Sequence, residues 1–534
     1  MKSFFKIAAL LLFLGLSTFK TAAQSNPADR PRLVVGIMVD GLQQRHIDRL
    51  WSYFEPNGLK KIISQGKVCN NVSYNAVSGG NTSDIATVMT GSVPFYHGIS
   101  GDFFYDKTTE KVQSTIADDE QIGIGTTDKV SAHNLLSGTF TDELMMAYPE
   151  KAKCFAVGID AGATIMMGGH TANSVAWIDD IYLKWVTTGY FQDGLPEEAD
   201  QMNVDGTFKN LASRLWKPMY AINTYVTSQG NRQEAFSYNP TDRKTKGSSS
   251  TLLKRTPAAN TLVAELAGKI VENEKLGVDN VPDALMLQFT VRAPNEKFFS
   301  LQSPEKEDMY LRLDRDIQTL LKKIDEKVGL SNTLVYLYSN QTDVHSPSEL
   351  GDNHIPAGYF SANRSMALVN TYLMALYGQE RWITGYYAKN IYLNKAKIEE
   401  KKLNLRQFQQ TVADFMLEFA GVQSAYPASQ VLTMPGNSQS DANRLRNSYN
   451  KSTIGDVVIT LMPGWLEVDE KLQPVGESNA IITYTPLYFY GWQIKQGTVK
   501  ESYQVTDIAP TISRILNIPM PNACIGKPMK EIVE

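Results

Sequence analysis

Residues 78–99 read SGGNTSDIATVMTGSVPFYHGI. Gly79 and Gly80 permit a sharp backbone bend. Asn81, Thr82, Ser83 and Asp84 are all residue types that cap helix N-termini. Ile85, Val88 and Met89 then recur at helical spacing and predict one core-facing stripe, which Gly91 and Pro94 end. A side chain at such a start sits where backbone N–H groups and the helix dipole favour an anion, phosphate included. The plainer alternative is a buried helix with a polar cap.

Outward from this turn the chain reads as α/β. Leu33–Val39 (LVVGIMV) is a continuous apolar run ending in Asp40-Gly41, the pattern of a buried parallel strand with an acid at its carboxyl end. Open α/β sheets gather ligands at that edge; Asp40 could equally cap a following helix. Lys153–Ile159, Asp283–Thr290 and Thr333–Tyr338 read as further strands, and Glu307–Val328 as an amphipathic helix. Residues from about Ser361 to Asn450, rich in Tyr, Asn and Gln, read as an inserted cap over the sheet's carboxyl edge. Val457–Leu461 and Ile481–Tyr490 return as strands. Strands alternating with helices predict α/β architecture.

The 534 residues are 43% hydrophobic and 20% charged, enough apolar material for a large core. A formal net charge of −4 gives no footprint for nucleic acid or an anionic membrane. Residues 1–23 carry a basic start (Lys2, Lys6), an apolar run and the small residues Thr21-Ala22-Ala23, the pattern of a signal peptide. The expectation is an exported protein, periplasmic or extracellular, spanning residues 24–534, with no later transmembrane segment. Cys69, Cys154 and Cys524 allow at most one internal disulfide and show no metal-ligand spacing.

TGSVPFYHGISGDFFYDK (Thr90–Lys107), the GGHTA of residues 168–172 and the terminal DIAPTISRILNIPMPNACIGKPM resemble the alkaline phosphatase superfamily. The nearest pattern is that of phosphate-irrepressible bacterial alkaline phosphatases, beside type I phosphodiesterases and nucleotide pyrophosphatases. The resemblance implies a mixed, mostly parallel central sheet flanked by helices, with an inserted cap. It also implies two zinc ions, held by three Asp and three His, and a Thr or Ser nucleophile.

Carried over position by position, that site is depleted. Asp40 matches a zinc-ligating Asp. Asn81 falls on the nucleophile, with Thr82 next door as a fallback. Ala293 and Lys297 fall on one Asp/His pair, Asn340 and Gln341 on another, and Tyr484 on the last His. Asp160 and Gly162 replace the phosphate-binding Lys and Arg, and Asp102 replaces an Asn. Amides are poor zinc ligands. A buried Asp40 without metal needs a counter-ion, for which Lys297 is the candidate. His345 and His354, with Asp343 and Asp352, could form a new metal site or simply a hydrogen-bonded loop; His97 and His170 fall in structural motifs.

Two functions follow from the resemblance. One is a catalytically inactive pseudoenzyme without cofactor, serving an unidentified ligand or envelope partner. The other is an active zinc-dependent phosphomonoesterase or phosphodiesterase using Thr82 and a rearranged metal site.

Overall fold

All eight residues of the strand Leu33–Asp40 are buried, because the strand has a parallel neighbour on each side and helices over both faces. The computed structural model describes residues 29–534 apart from 180, 226–234, 244–250, 295–302, 341–346, 435–440, 470–474 and 476–483. The proposed signal peptide therefore lies outside the described residues. Leu33–Asp40 pairs in parallel with Asp283–Thr290 on one side and Thr333–Ser339 on the other. Cys154–Gly158 and Ser174–Asp179 continue the parallel run. Tyr484–Gly491 and Lys184–Thr188 border it as antiparallel strands.

Alternate side chains of the central strand enter opposite cores, as a period of two requires. Leu33, Val35, Ile37 and Val39 join Leu262, Leu266, Ile317 and Leu320 from the helices Pro257–Asn273 and Pro304–Lys327. Val34 and Met38 join Ile85, Met89, Ile165 and Ile512 from the helices Asn81–Thr90, Ala161–Gly168 and Ile508–Leu516. Each fully buried aliphatic side chain contributes about 1.5–3 kcal/mol. This is the mixed, mostly parallel α/β architecture that the sequence predicts.

Val457–Leu461 is the strand expected from sequence, and it pairs antiparallel with Val422–Pro427 and Asn390–Leu393 in a separate four-stranded sheet. That sheet packs on Trp382, Phe408, Val412 and Met416. The helix at residue 81 has Gly80 at its N-cap, with φ 126°, and no side-chain cap from its own turn. The three cysteines are free thiols, with Cys69 and Cys154 buried. Among the described residues, no helix is long and apolar enough to cross a membrane.

Candidate functional site

Strand register assembles the site. Asp40 lies opposite Thr290, and Val39 opposite Ser339, so the residues just past three strand ends meet at one point. Past Thr290, the Val291 N–H donates to the Asp40 carbonyl at 2.9 Å. The Arg292 N–H donates to Thr290 Oγ1 at 3.1 Å. These bonds turn the chain across the end of the central strand, and Arg292 Nε donates to Asp40 Oδ1 at 2.8 Å. Gly41 makes room: its φ is +80°, and a Cβ there would lie 3.2 Å from Arg292 Cγ.

Asn340 follows the strand Thr333–Ser339 and is 3% exposed. Its Oδ1 accepts the Gly41 N–H at 2.9 Å. Its Nδ2 donates to Asp40 Oδ1 at 2.7 Å, and also to Asn81 Oδ1. Asn81 in turn bonds to Asp40. Burial alone would raise the Asp40 pKa; Arg292 and the two amides outweigh it and hold the carboxyl below its usual value.

The other half of the cleft is built on the helix start. An α-helix begins with unpaired N–H groups and a positive dipole end. Asp102 Oδ1 accepts the Thr82 N–H at 2.8 Å, so a distant carboxylate does the capping that the local residues do not. The Thr82 hydroxyl bonds to the same carboxyl. Gly80 leaves the space Asp102 needs, since a Cβ there would collide with Asp102 Oδ2. Gly162 backs onto the Thr82 hydroxyl in the same way. Asp160 stands at the start of Ala161–Gly168, 3.6 Å from Lys254 Nζ and 3.1 Å from Gln288 Nε2. Burial raises the Asp102 pKa, and Asp160 and Asp40 add repulsion that the Thr82 bonds do not cancel.

The structure thus brings Asp40, Asn81, Thr82, Asp102, Asp160, Gly162 and Asn340 around one cleft. It does not add two other residues predicted from sequence. Ala293 is buried in the apolar core beside the Asp283–Thr290 strand. Tyr484 is 54% exposed and lines a cavity of about 300 Å³ with Gln43, Cys69, Asn70 and Pro486. Its neighbour Thr485 is the buried one, donating to the Ser339 carbonyl at 2.6 Å. Lys297, Gln341, Asp343 and His345 lie outside the described residues. Among the described residues the counter-ion of Asp40 is Arg292, a residue not singled out from the sequence. The usable signal was register: Arg292 stands two residues past the partner of Asp40.

His97 and His170 are tied into the fold. His170 Nδ1 lies 2.9 Å from Asp142, and Nε2 lies 3.0 Å from the Leu135 carbonyl. His97 is fully buried on Thr87 Oγ1, and burial pushes its pKa down to about 3, so the ring is neutral. His354 sits in an exposed turn with φ 59°.

Zinc is the metal that the resemblance implies. Among the described residues, no three His, Cys, Asp or Glu side chains converge to hold a metal ion. Asp40 Oδ1 already accepts a guanidinium and an amide. This donor set does not fit zinc.

The model for type I phosphodiesterase / nucleotide pyrophosphatase matches residues 34–484. The chain is 29% identical to "Alkaline phosphatase PafA" of Elizabethkingia meningoseptica, over 98% of each chain. It is also 29% identical to a Myroides odoratus protein named "Calcium-transporting ATPase", over 96% of each. The crystal structure of wild-type PafA superposes with a TM-score of 0.85 at 28% identity, covering 95% of this chain and 100% of that one. A PafA variant has been solved with a threonine, an asparagine, a lysine and an arginine substituted. The first two stand 21 positions apart and the last two stand 2 apart, as Asn81 and Asp102, and Asp160 and Gly162, do here.

Proposed function

Because the chain belongs to the type I phosphodiesterase / nucleotide pyrophosphatase family, we propose that it is an exported, non-hydrolytic member whose cleft binds or scaffolds. One observation carries this reading. The side chain at the head of the central helix is an amide, Asn81, bonded to Asn340 and Asp40. A carboxamide has neither the lone-pair basicity nor the dissociable proton of an activated hydroxyl nucleophile. The matching spacings in the PafA variant support the placement of Asn81 at that position. Export rests on the basic and apolar pattern of residues 1–23.

A second reading has its own support. PafA, similar along nearly the whole chain, bears the name of an alkaline phosphatase. Thr82 is 4% exposed, and its hydroxyl meets the Asp102 carboxyl, a group with raised proton affinity that could take its proton. Turnover of p-nitrophenyl phosphate and bis(p-nitrophenyl) phosphate, measured with and without added zinc, separates the two. The non-hydrolytic reading expects the wild type to match Thr82→Ala under every condition. Zinc-dependent turnover lost in Thr82→Ala would establish the second reading instead.

A further inference from the structure

We propose that this cleft is self-liganded: Arg292 stands in for a metal ion at Asp40, and Asp102 stands in for a bound anion at the N-terminus of the helix Asn81–Thr90. The inference deepens the non-hydrolytic reading, but its readouts are stability and metal content rather than turnover.

The cation side rests on geometry. Asp40 is 6% exposed and ends a strand buried on both faces. Left alone, a carboxylate there is costly, and it must be paired or metal-bound. Arg292 meets it through Nε at 2.8 Å, and the approach is prepared by three features. Gly41 clears the path of the arginine stem. The Thr290 hydroxyl and the Asp40 carbonyl fix the backbone of residues 291 and 292. Asn340 uses both ends of its amide, one on Gly41 and one on Asp40, so it orients the acceptor without adding charge. A divalent ion at Asp40 would compete with a guanidinium already bonded to Oδ1, and would find two amides where ligands of higher charge are needed.

The anion side is independent of the first. The start of a helix attracts negative charge through its unpaired N–H groups. Here the charge is supplied from within the chain: Asp102 Oδ1 takes the Thr82 N–H at 2.8 Å. Gly80 holds a φ of 126°, which lets the carboxyl approach where a side chain would block it. A phosphate oxyanion entering this position would have to displace Asp102 and face Asp160 as well. Asp160 has its own protein cation, with Lys254 Nζ at 3.6 Å. Asp40 and Asp160 are therefore met by cations of the same chain, and Asp102 by the helix start.

The test is thermal unfolding of the purified protein with EDTA, with zinc chloride and with inorganic phosphate, beside zinc content by mass spectrometry. The wild type should carry well under one zinc per chain, and its Tm should stay within about 1 °C in all three additives. Arg292→Met should lower the Tm by about 3–5 °C. Asp102→Ser should make the Tm rise with phosphate, a response the wild type lacks. If Arg292→Met does not fold, Arg292→Lys, which keeps the charge, supplies the intermediate loss. One or more zinc ions per wild-type chain, or a wild-type Tm that falls with EDTA or rises with phosphate, would overturn the inference. Phosphatase turnover could be absent with either result, so failure here leaves the functional reading separately testable.

Discussion

Asp40 and Asp102 face one cleft and carry the same functional group, yet their pKa values move in opposite directions. Burial pushes both upward. The difference is a cation. Asp40 has Arg292 Nε at 2.8 Å and two amides beside it. Asp102 has an N–H and a hydroxyl from Thr82, and two other carboxylates within electrostatic reach. Hydrogen bonds alone therefore do not settle the protonation of a desolvated acid; the sign of the nearest full charge does. The two residues also answer to different parts of the fold, Asp40 to strand register and Asp102 to a helix end.

The comparison can be broken most severely from its charged side. Arg292→Met leaves Asp40 buried without a counter-ion, and a loss of about 3–5 kcal/mol in chemical denaturation is expected. Combining it with Asp40→Asn should cost much less than the two single losses added, since the two groups face each other. Asn340→Ala comes next. It strips one bond from the ionised Asp40 and one from the Gly41 N–H, for an expected loss of about 2–3 kcal/mol by the same measurement.

The smallest effect sharpens the contrast. Asp102→Asn keeps a side-chain oxygen for the Thr82 N–H and removes the charge. An acid with a raised folded-state pKa binds protons more tightly when folded. Its contribution is most favourable below the unfolded value near 3.8 and is lost as pH rises through the folded value. Asp102→Asn should then equal or exceed wild-type stability at pH 8, by at most about 1 kcal/mol because the group is half-buried. It should lose that advantage as the pH is lowered towards 4. Asp40 has the opposite sign: its stabilisation is present above 3.8 and is lost as pH falls through its depressed value. At pH 8 the denaturation midpoints of Asp102→Asn and Asp40→Asn should therefore lie on opposite sides of wild type.

The central strands were legible because parallel strands buried on both faces are written as unbroken apolar runs, as in LVVGIMV and TLVYLY. Asn340 follows the apolar run TLVYLY by a fixed step, and in the fold it bonds to Asp40. The counter-ion was not legible. Lys297 and Arg292 are both basic and both lie past the same strand, and only the pairing of Asp40 with Thr290 selects the nearer one. Asp102 as a cap was equally hidden, because the helix start is full of competent local cappers and the partner that wins is 18 residues beyond Asp84. Val457–Leu461 was legible as a strand, but its sheet was not. Its apolar run fits any buried strand, and composition does not say which of two sheets will accept it.

Gly41 carries a consequence of its own. Its torsion favours glycine, and the missing methyl is the channel through which the guanidinium stem passes. Positions 41 and 292 are therefore coupled through shared space. A lineage that enlarged residue 41 would strain its own torsion and crowd the arginine stem at once, so the seat of the counter-ion depends on one backbone position that keeps a hydrogen where other amino acids carry a carbon.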